Sequence, residues 1–197
     1  MSSSSATIRH ATLDGTPPPF SPQTPLTPPD IPTILSLIRE LASYEKAPEM
    51  VHATEESLAR TLAHYDPSTC TFSPGYARTL LLSPTSSDNS DPVSPDTPVA
   101  MALYYYNYST WTGVPGIYLE DLFVQESYRN KGYGKMLLKE LAKEVLKVGG
   151  QRLEWSCLDW NEPSLKFYTG EKIGASKKEK WVGLRVEGEG LSRLAES

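Results

Sequence analysis

The sequence predicts an α/β fold with a mixed central β-sheet flanked by helices, and three observations carry that prediction. Strand-like segments alternate with stretches of helical periodicity, in the order β-α-α-β-β-β-α-β-α-β. The clearest amphipathic helix follows directly on a strand and the glycine turn "RNKGYG" (129–134), a junction that presents a helix start to a ligand. At 197 residues, 39% of them hydrophobic, the chain suits one domain with a sizeable core, over 6–197 behind a short tail, 1–5.

Each element has its own signal. "ATIRHAT" (6–12) alternates as a strand does. "DIPTILSLIRELASYEK" (30–46) puts Ile34, Leu37, Ile38 and Leu41 on one helical face behind Asp30, an N-capping residue type. "TEESLARTLAHY" (54–65) opens on Thr54-x-x-Ser57, a capping-box spacing with serine in place of glutamate, and predicts a second short helix. "YARTLLLS" (76–83) and "VAMALYYYNYST" (99–110) predict a hairpin, and "GIYLEDLFV" (116–124) the next strand. The helix beyond Gly134 buries Leu137, Leu138, Leu141 and Val145 and stops at Gly149-Gly150. Its Lys135, Lys139, Lys143 and Lys147 form a solvated stripe. A strand at 152–158, a short helix at 163–169 ending at Gly170 and a last strand at 180–188 complete the order.

Eleven of the 17 prolines lie in two stretches, "PPPFSPQTPLTPP" (17–29) and "SPTSSDNSDPVSPDTP" (83–98). Both are too poor in apolar residues to join a core and read as surface insertions. The net charge of −5 and pI near 5.3 argue against a general nucleic-acid binder and leave room for a cationic substrate. Cys70 and Cys157 give no disulfide framework, and the three histidines have no metal-ligand spacing. No signal sequence or membrane-length apolar run is evident, so the expectation is a cytosolic or nuclear protein.

The glycine turn has a physical use. The first amides of a helix lack internal acceptors, and the helix dipole adds partial positive charge beside them. Glycine lets the backbone approach a phosphate, and Arg129, Lys131 and Lys135 add charge suited to a diphosphate. A Walker loop would need a hydroxyl where Met136 stands, and a Rossmann fingerprint a third glycine near the start of the fold.

"YRNKGYGKMLL" resembles the R-x-x-G-x-G/A acetyl-CoA loop of GNAT-type acetyltransferases. With "YSTWTGVPGIYLEDLFV", "LDWNEPSLKFY" and "LIRELASYEK" the chain resembles the spermidine/spermine acetyltransferase family, and is most similar to its thialysine acetyltransferase branch. The resemblance implies that acetyl-CoA is the cosubstrate, a small-molecule primary amine the acceptor and the homodimer the assembly. It implies backbone groups of Leu122, Phe123 and Val124 along the pantetheine arm. Arg129, Asn130, Lys131, Gly132, Tyr133, Gly134 and Lys135 would belong to the pyrophosphate loop, with Asn161 and Ser164 completing the cofactor wall. Tyr168 matches the tyrosine near the thioester sulfur and Glu120 the glutamate that contacts the amine. Tyr44, Glu45 and Glu179 match positions lining the amine cleft. Ser109 stands where polyamine-specific members carry an acid, which removes one anchor for a long polyamine.

Acetyl transfer needs a proton taken from the amine and one given to the departing thiolate, roles open to Glu120 and Tyr168. Neither a metal nor a covalent intermediate is required. From spacing alone, Tyr168 reads better as a core aromatic, and Glu45 and Glu179 as ordinary surface charges. By strand alternation, one of Glu120 and Asp121 points inward and the other away. The alternatives are a polyamine acetyltransferase, a protein lysine acetyltransferase, and a CoA-binding interaction module recruiting partners through its prolines.

Overall fold

A computed structural model describes residues 6–13, 30–85 and 97–197. The proline-rich stretch at 17–29, the tail 1–5 and residues 86–96 of the second stretch lie outside the described residues. The chain divides into two compact units, Met1–Ser156 and Cys157–Ser197.

The first unit holds a five-stranded sheet: β1 (Ala6–His10), β4 (Arg78–Pro84), β5 (Ala100–Ser109), β6 (Val114–Val124) and β7 (Leu153–Trp155), side by side in that order. All pairs are antiparallel except the last, where β6 and β7 run parallel. β4 and β5 form the expected pair flanking the second proline-rich stretch, with Leu81 opposite Met101. Between helix and sheet the chain adds a small antiparallel pair, β2 (Tyr65–Asp66) with β3 (Thr71–Phe72), that the sequence pattern did not announce.

The helices α1 (Asp30–Tyr44) and α2 (Glu55–Thr61) cover one face of the sheet. Ile31, Ile34, Leu35 and Leu37 of α1 meet Leu81, Met101, Leu103 and Phe123 there in one buried cluster. The capping box forms with serine: Thr54 accepts from the Ser57 amide at 3.1 Å, and Ser57 Oγ accepts from the Thr54 amide at 2.9 Å. α3 (Tyr133–Lys147) covers the opposite face, burying Leu137, Leu138, Leu141 and Val145. There the Tyr106 hydroxyl donates to Glu144 Oε1 at 2.6 Å and accepts from Arg78 at 3.0 Å.

Asp30 does something other than cap its helix from outside. It is the first helical residue described, is 2% exposed, and accepts from the two terminal nitrogens of the Arg9 guanidinium at 2.6 and 2.7 Å. The same carboxylate accepts from the Thr12 amide at 2.7 Å, so the end of β1 is tied to the start of α1.

The second unit contains α4 (Glu162–Thr169) and α5 (Glu189–Glu196). The strand expected at 180–188 is not formed: that segment pairs with no strand among the described residues and has no regular structure. Val182, Leu184 and Val186 are exposed at 83%, 92% and 54%. Alternation favours a strand only where a neighbouring strand receives it, and the described residues supply this segment no strand partner. α5 was not expected. No helix in the described residues is long and apolar enough to cross a membrane.

Candidate active site

The geometry of the first unit turns on one irregularity in β6. Leu103 of β5 pairs with Asp121, but its neighbour Tyr104 pairs with Leu119, so Glu120 is the extra residue of a β-bulge. A bulge leaves one residue unpaired and re-aims the side chains beside it. Leu119 and Leu122, opposite Tyr104 and Ala102, belong to the α3 side of the sheet, while Asp121 lies opposite Leu103 on the α1 side. Glu120 therefore falls on the α1 side too. The two carboxylates share a face, which corrects the expectation that alternation would separate them.

The end of α1 brings a third acid. Tyr44 is its last residue and Glu45 follows, the Glu45 amide donating to Leu41 O at 2.9 Å. Asp121 is pushed up to about 6, by burial first and then by the negative charges of Glu120 and Glu45. Burial also raises Glu45. Beyond the bulge on the same face, Tyr105 stands directly opposite Tyr118, their rings stacked at 5.3 Å and 27°. Burial, then the charges of Glu120 and Tyr118, raise the Tyr105 phenol. Three carboxylates and an aromatic pair thus gather where a cation would relieve their mutual repulsion.

The other half of the site is a strand edge and a loop. The β6–β7 ladder has only three pairs and stops at Leu119–Trp155, while β6 continues to Val124 beside β5. No second ladder accompanies β6 over Glu120–Val124 among the described residues, leaving that edge for a ligand able to hydrogen-bond with backbone. The chain then enters α3 through Asn130 at φ 62° and Gly132 at φ 87°, both left-handed. A Cβ at Gly132 would meet nothing within 4 Å, so conformation and open access, not crowding, explain the glycine. The first helical bond after the turn runs from the Met136 amide to Gly132 O, and the amides ahead of it face the open side of a helix start. These features fit the diphosphate and pantetheine arm of acetyl-CoA.

The loop's side chains divide their tasks. Arg129 donates through Nε to Val124 O at 3.1 Å, and its guanidinium lies 4.7 Å from the Tyr44 ring centroid and 5.8 Å from that of Phe123. It thus joins α1 to the end of β6, and with Ser36, Arg39, Ser43 and Glu126 it lines a cavity of about 480 Å³. Lys131 sits 5.0 Å over the Tyr128 ring, whereas Lys135 is exposed in the first turn of α3. Tyr133 and Phe123 are buried, which leaves their backbone groups as what they can offer a cofactor.

In the second unit Asn161 caps α4, its side-chain oxygen accepting from the Ser164 amide at 3.3 Å. Tyr168 lies near the end of α4 with its ring 5.2 Å from that of Phe167, and its carbonyl accepts from the Ala175 amide at 3.0 Å. Glu179 is exposed in a turn.

Asp121, Tyr105 and Tyr118 were absent from the residues expected at the site. Asp121 was hidden by strict alternation, Tyr105 by its place in the aromatic-rich β5, and its pairing with Tyr118 by a β5–β6 register that is set only in three dimensions.

Residues 53–174 match the Acetyltransferase (GNAT) family. The thialysine N-epsilon-acetyltransferase of Bos taurus is 35% identical over 173 residues, covering 84% of this chain and 92% of that protein. The L-ornithine N5-acetyltransferase of Arabidopsis thaliana is 30% identical over 195 residues, covering 85% of each. Among solved structures, an integron cassette protein from V. cholerae superposes with a TM-score of 0.64 at 25% identity, covering 98% of both chains.

Proposed function

Since this chain belongs to the GNAT family of acetyltransferases, we propose that it transfers an acetyl group from acetyl-CoA to a terminal primary amine of a small molecule. The favoured acceptor is a thialysine-, lysine- or ornithine-like amino acid, with a diamine or polyamine as the alternative. The observation that carries the proposal is the juxtaposition, on one strand, of the Glu120–Asp121 bulge and the Glu120–Val124 edge that β7 leaves without a ladder. It puts amine-attracting charge next to a backbone edge fit for a pantetheine arm.

Acetyl-CoA, when bound, supplies an activated acyl carbon that the amine attacks directly in a ternary complex. A primary alkylamine, with a pKa of about 10.4, is protonated at neutral pH and must lose a proton before it attacks. Glu120 accepts that proton, directly or through a water, beside Asp121 and Glu45, which hold the ammonium close. Backbone amides at Leu122–Val124 polarise the carbonyl, and those of the 130–135 loop hold the pyrophosphate. Asn161 and Ser164 flank the cofactor, Tyr44 and Glu179 line the amine cleft, and Tyr168 gives its phenolic proton to the leaving thiolate. Homodimeric assembly belongs to the same reading and is carried by the family resemblance alone.

The test is release of CoA thiol with thialysine, ornithine, lysine, spermidine and a histone-tail peptide in parallel. The proposal expects the amino acids to give the highest kcat/KM, with spermidine behind because Ser109 offers no distal anion. Turnover of the peptide alone would replace it with protein acetylation, and CoA binding without turnover of any amine would leave an interaction module.

A further inference from the structure

Resting on the amine-acetylating reading, we infer that Tyr105 and Tyr118 form the floor on which the acceptor's carbon chain lies, and so set which amines this enzyme prefers. The pair is placed by register: the rings face each other across β5 and β6 one step before the bulge, on the α1 side of the sheet. Glu120 is next but one to Tyr118 along β6, so a chain lying over the rings ends with its ammonium among the carboxylates.

Three observations separate this pair from ordinary packing. Tyr105 is 36% exposed although it stands mid-strand in a sheet whose neighbouring positions Tyr104 and Leu103 are 0% and 8% exposed. The Tyr118 hydroxyl is held at 2.7 Å by Ser156 Oγ, just beyond the end of β7, which fixes the ring's orientation at the point where the β6–β7 ladder stops. The rings are stacked at 27° rather than set edge to face, so the pair makes one aromatic surface in which each ring turns one face to its partner and the other away. Such a surface next to anions suits an alkyl chain carrying a positive charge: methylenes or a thioether rest on the rings, and a cation gains from their negative faces. It gives nothing comparable to an acidic or strongly hydrated acceptor.

The experiment compares wild type, Tyr105→Phe and Tyr105→Leu by steady-state kinetics with ornithine, lysine and thialysine, and by calorimetric titration of each amine into the enzyme–CoA complex. Tyr105→Phe keeps the π face and should stay within about twofold of wild type. Tyr105→Leu keeps an apolar side chain but loses the face. It should raise KM and the amine Kd by roughly 5- to 30-fold, leaving KM for acetyl-CoA and the melting temperature near wild type. The loss should be larger for thialysine and lysine than for the shorter ornithine. Equal amine affinities in wild type and Tyr105→Leu would overturn the inference while leaving amine acetylation standing. A wild-type enzyme that turns over none of the amines would remove the reading beneath it.

Discussion

Replacing Asp30 with alanine tests how the acceptor side of the molecule is anchored. The carboxylate is 2% exposed and accepts from the two terminal Arg9 nitrogens as well as from the Thr12 amide, at 2.6, 2.7 and 2.7 Å. Arg9 is only 15% exposed, so the substitution strands a guanidinium that water cannot fully recover, and it leaves a buried amide without its acceptor. Breaking one side of such a pair costs about 3–5 kcal/mol. At about 2–4 °C per kcal/mol for a chain of this size, the melting temperature should fall by roughly 6–20 °C. Thermal and urea unfolding followed by circular dichroism measure it, and the double variant Arg9→Met with Asp30→Leu should recover a large part of the loss. Asp30 and Tyr44 are separated by the length of α1, about 21 Å at 1.5 Å per residue, so KM values measured well below the transition should hardly change. A loss under about 1 kcal/mol, the ceiling of an exposed ion pair, would refute the argument.

Two further predictions follow the cofactor and the leaving group. Gly132→Val forces a β-branched residue to φ 87°, and the strain should reshape the loop. The acetyl-CoA-induced rise in melting temperature should then shrink sharply, and an unchanged rise would mean that the loop holds no phosphate. Tyr168→Phe should lower kcat by roughly 10²–10⁴-fold with acetyl-CoA affinity and melting temperature nearly constant, whereas full turnover would remove the hydroxyl from the mechanism.

The five strands of the main sheet and the apolar stripes of α1 and α3 were legible in the sequence because each segment announced its own period. Ile34 and Leu37 repeat at helical spacing, and Leu137, Leu138, Leu141 and Val145 do so again; all are buried. The loop at 129–135 was legible because a left-handed turn before a helix demands glycine at a fixed place. Three things were not legible, each for a non-local reason. Asp30 looks like a cap, and only the return of β1 alongside α1 gives its carboxylate an arginine. The segment 180–188 has a strand's alternation, but pairing depends on a neighbour that the segment itself does not encode. The bulge leaves no mark in β6 alone, since it exists only as a mismatch of count between β5 and β6.

That mismatch has a genetic consequence. Strike residue 120 from the chain and the rest of β6 is an ordinary alternating ladder, with Leu119 still opposite Tyr104 and Asp121 still opposite Leu103. Every other residue of the strand keeps its partner and its side of the sheet. Glu120 is thus the one position in β6 that the architecture does not use. A single codon thus separates a regular ladder from one that sets two carboxylates side by side on one face of the sheet.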